Sequence, residues 1–136
     1  MSAASNYLEN KLLDHTLGNT AFGQPSTLYL GLFTNDSGQA ASNLEGGITA
    51  TDEISGGSYI RETISFGGAS GGSASTDATV TFTTATANWG TITHVAVMDA
   101  ASAGNVLFYG AVTTSKTIES GDTFQVSSGN LTISLA

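Results

Sequence analysis

A chain of 136 residues has the length of one domain, and only 10% of them are charged, 3 basic against 11 acidic for a net charge of −8. Lys11, Arg61 and Lys116 are scattered singly, which argues against a nucleic-acid face, where clustered cations must displace phosphate counterions, and against binding to an anionic membrane surface. The absence of cysteine excludes disulfides, thiolate catalysis and cysteine-based zinc sites, so stability must come from packing and self-association.

Met1-Ser2-Ala3-Ala4-Ser5 has neither a basic nor an apolar signal region, and no stretch approaches the ~18–20 apolar residues of a membrane span, which predicts synthesis in a cytoplasm. Residues 1–19 form the one predicted helical arm. Asn6 with Glu9 three residues later resembles a capping box, Ser5 and Ser2 compete as caps, and Leu8, Leu12, Leu13 and Leu17 recur at helical spacing before Gly18-Asn19. That stripe must lie on the domain or on a neighbouring subunit, with Glu9, Lys11 and Asp14 in water. After Pro25, residues 27–34 alternate Leu28, Leu30 and Leu32 with Tyr29, Gly31 and Phe33, apolar on both sides as in a central strand.

Residues 35–57 are polar and glycine-rich, a long loop of the kind that is functional or mobile. Strand 58–66 sets Ile60, Ile64 and Phe66 inward and Tyr59, Arg61, Thr63 and Ser65 outward, with Glu62 interrupting the inward set; the Gly/Ser-rich loop 67–76 follows. Val80 and Phe82 mark a strand at 78–83. Strand 92–99 places Ile92, His94, Ala96 and Met98 on one side and Thr93, Val95, Val97 and Asp99 on the other. A turn at Ala103-Gly104-Asn105 leads to strand 105–113, and a second turn around Glu119-Ser120-Gly121-Asp122 to strands 122–127 and 130–135. About seven strands at this spacing, with no solenoid or heptad period, predict an all-β fold: a single-domain antiparallel β-sandwich or barrel over residues 1–136 with one N-terminal α-helix.

No catalytic constellation emerges. His15 and His94 are too few for a histidine-rich metal site, His94 reads as structural or interfacial, and no Gly-x-Ser-x-Gly elbow activates a serine. Asp36, Glu45, Asp52 and Glu53 could wrap a calcium ion from the 35–57 loop, but their spacing matches no calcium repeat, and solvated loop charges are the simpler reading. Trp89 reads first as a core or hinge anchor and second as a ligand platform. The candidate site is therefore an interface formed by Tyr7, Leu8, Leu12, Asp36, Tyr59 and Trp89, with no catalytic or metal residue and no cofactor.

The opening 6–15, Asn-Tyr-Leu-Glu-Asn-Lys-Leu-Leu-Asp-His, the strand Leu28-Tyr29-Leu30-Gly31-Leu32-Phe33-Thr34, and Gly56-Gly57-Ser58-Tyr59-Ile60-Arg61 resemble a family of short virion proteins of tailed bacteriophages. The stretch 85–94, Asp99, Gly104, Phe108-Tyr109-Gly110 and Gly121-Asp122 extend the resemblance over nearly the whole chain. It implies a non-enzymatic virion protein without a cofactor, present in many copies. Family members are labelled as tail-fibre or structural proteins, and some small all-β phage proteins are capsid decoration proteins. Size and self-containment favour a capsid cement or decoration protein on the outside of the major capsid lattice; the alternative is a tail-fibre or tail-tip component that attaches to host-surface glycans through Tyr59, Trp89 or Tyr109. The expected partners are the major capsid protein or other virion proteins and further copies of the chain, as a dimer or trimer.

Overall fold

The computed structural model describes residues 3–47 and 52–135. In chain order these form β1 (Ala3–Ala4), α1 (Asn6–Thr16), β2 (Leu28–Phe33), α2 (Ala40–Gly46), β3 (Glu62–Ile64), β4 (Ser73–Ser75), β5 (Val80–Thr81), β6 (Gly90–Met98), β7 (Val106–Ile118), β8 (Gln125–Val126) and β9 (Thr132–Ser134). The strands pair antiparallel as one five-stranded sheet, in the order β1-β7-β6-β2-β3, and two ribbons, β4-β9 and β5-β8. Among the described residues no barrel closes. The ribbons form a broken second layer against one face of the main sheet, while α2 covers the other and α1 leans on α2 and β7.

Strand β2 is the predicted central strand. It lies between β3 and β6, with Leu28 opposite Ile64 and Leu30 and Leu32 opposite Val97 and Val95. Its leucines enter the core on the ribbon side, with Phe82, Ile92 and Phe124, whereas Tyr29 and Phe33 join Leu44, Met98 and Val106 on the helical side. Two apolar faces on one strand thus reflect two cores, one on each side of the sheet.

Strands β6 and β7 depart from strict alternation. Ile92 pairs with Lys116 and His94 with Ala111, so Thr93 alone faces the four residues Val112 to Ser115. This irregularity turns Ile92 to the ribbon side with Val95 and Val97, away from Ala96 and Met98. A second register shift, between Val97–Phe108 and Met98–Val106, leaves Leu107 as the extra residue, so Val106 and Phe108 also face opposite cores. The predicted strand 105–113 accordingly continues to Ile118.

Three other expectations are corrected. Residues 58–61 are not strand: Gly56, Gly57 and Ser58 take positive φ angles of 77°, 59° and 66°, which rotate the segment, so Tyr59 and Arg61 turn inward and Ile60 is 56% exposed. The loop 35–57 contains α2, whose Ala40 and Leu44 are buried and whose first amide donates to Asn35 Oδ1 at 2.9 Å; residues 48–51 of that loop lie outside the described part. Within 67–76, Ser73–Ser75 is a strand paired with β9, its hydroxyls meeting those of Ser134 and Thr132 at 2.7 and 2.8 Å.

Candidate functional site

Helix α1 carries three of the six candidate interface residues. Its cap is Ser5, not Asn6: Ser5 is fully buried, accepts from the Leu8 amide at 3.3 Å and donates its hydroxyl to the Val106 carbonyl, so one side chain both starts the helix and ties it to β7. Ser2 lies outside the described residues. Leu8 is buried and Leu12 half-buried, but Leu13 is 56% and Leu17 81% exposed, so the apolar stripe is split. Tyr7, half-buried, packs edge-on to Phe22 at 6.4 Å beneath the Lys11 ammonium. His15 Nδ1 accepts from the Phe22 amide at 3.1 Å, which fastens the segment after the helix to its flank.

Tyr59 and Trp89 are brought together, inside the chain. Their rings meet edge to face at 5.5 Å, and Tyr59 is stacked parallel to Phe82 at 6.3 Å. The indole N–H donates to the Gly57 carbonyl at 2.9 Å. A Cβ on Gly57 would lie 2.7 Å from that nitrogen, so the contact requires glycine there. Trp89 is only 6% exposed, which takes it off the surface as an interface residue or sugar platform.

The Tyr59 hydroxyl donates to Glu53 Oε2 at 2.9 Å and accepts from the Leu32 amide at 3.0 Å. The same carboxylate receives a two-pronged bond from Arg61, Nε and Nη2 each at 2.7 Å, and Arg61 Nη1 reaches the Ala100 and Ala103 carbonyls at 2.8 and 2.9 Å. Arg61 thus clamps the connection between β6 and β7 onto the 53–61 segment. Burial, and next the negative charge of Glu53, push the Tyr59 phenol far above its ordinary value; the hydrogen bonds that Arg61 donates to Glu53 hold the guanidinium protonated more firmly still.

The four loop carboxylates do not converge. Asp52 is buried and accepts from the Ser37 amide at 3.0 Å and its hydroxyl at 2.5 Å; Glu53 is consumed by Arg61; Glu45 is exposed on α2, and Asp36 is exposed at the start of the loop. This sorts the charges that sequence reasoning left in solvent, since two are drawn inward by specific donors. Burial lowers the His94 pKa, Asp52 opposing, and raises that of Tyr109, whose neighbours Glu45 and Glu9 add to the effect.

A groove missed by sequence reasoning lies on the ribbon side. It has a volume of about 280 Å³ and is bounded by Leu28, Phe66, Val97, Phe108 and Ile133, with Ala69 and the 53%-exposed Leu135 at its rim. Its walls come from the main sheet, β4, β9 and the connection 66–72, elements far apart in sequence, so no local pattern announces it. Among the described residues the buried side-chain polar atoms all have hydrogen-bond partners, and the large apolar side chains left exposed are Leu13 and Leu17 at the helix, Ile60, and Leu135 at the rim of this groove.

Compared with known proteins, the chain matches the family model described as podophage GP4 fiber I protein gp80 over residues 3–134. No curated protein matches it.

Proposed function

The chain belongs to the podophage GP4 fiber I protein family, a family of phage virion structural proteins, and on that premise we propose that it is a tail-fibre component that works by protein–protein contact. The observation that carries this reading is the extent of the match: residues 3–134 take in every described element from β1 to β9, so the whole fold is the fibre-family unit. The geometry is compatible with a binding role, because Glu53 is paired with Arg61 and Asp52 is held by Ser37.

Within the fibre, an assembly role fits better than sugar recognition at a tip. Carbohydrate platforms present exposed aromatic faces, and of the three candidate rings Trp89 is buried and Tyr59 is sandwiched between Phe82 and Trp89 with its hydroxyl in two hydrogen bonds, which leaves the half-buried Tyr109 alone. The test is copy number and location on purified virions, by gel densitometry against the major capsid protein and gold-labelled antibody. A few to a few tens of copies at the tail are expected. Hundreds of copies, in simple ratio to the capsid protein and spread over the shell, would overturn the reading in favour of a capsid cement protein.

A further inference from the structure

We draw no further inference here: the strongest candidate, the groove that Leu28, Phe66, Val97, Phe108 and Ile133 form on the ribbon side of the main sheet, is an unpartnered apolar face, and nothing in the structure shows what covers it.

Discussion

At the scale of single residues, the Arg61–Glu53 pair shows how charge is used inside a fold that carries few cations. The guanidinium is 3% and the carboxylate 16% exposed, so removing one partner strands the other away from water. Arg61→Ala should cost about 3–5 kcal/mol in urea denaturation, and Arg61→Met should cost clearly less in a Glu53→Gln background than alone, since no unpaired carboxylate is then left behind. His94 behaves oppositely. Burial favours its neutral form, so its folded pKa lies below the ordinary value of 6.5. As pH falls below 6.5 the unfolded chain takes up a proton that the folded chain resists, so the stability present above 6.5 is progressively lost until the folded pKa is passed. Thermal melts of the wild type should therefore decline as pH falls through and below 6.5, and His94→Gln should flatten that decline.

At the scale of elements, period-two and helical patterns were legible wherever an element is regular. Strand β2 and the turn at Gly104 follow directly from their residues, and α1 ends at Leu17 with Asn19 in the left-handed region, as Gly18-Asn19 suggests. The pattern failed where backbone irregularity changed parity. The mismatch at Thr93 reverses Ile92, and the positive φ angles at 56–58 reverse Tyr59, Ile60 and Arg61; neither leaves a mark in hydrophobicity. Helix α2 did carry a signal, Ala40 and Leu44 four residues apart before Gly46-Gly47, hidden by the polar residues around it. Helix α1 shows the limit of a stripe: spacing cannot tell which of two adjacent leucine pairs faces inward. Leu8→Ala should cost about 2–5 kcal/mol by urea denaturation, whereas Leu13→Ala in the dilute monomer should stay within about 0.5 kcal/mol.

At the scale of the molecule, the class of fold was legible and its site was not. Alternation of apolar and polar residues is local, and it conveys an antiparallel sheet fold. The groove depends on Leu28, Phe66, Phe108 and Ile133 meeting from distant parts of the chain, and the burial of Trp89 on a glycine carbonyl 32 residues away. The pairings themselves are long-range: β1 joins Tyr109 and Phe108, and β4 joins Thr132 to Ser134. During synthesis at ~5–20 residues per second, the strand at Leu28–Phe33 emerges seconds before the residues that will cover it. Phe124 and Ile133, which complete the cover over its leucines, come from the last residues made, so the ribbon-side core closes only at the end of synthesis.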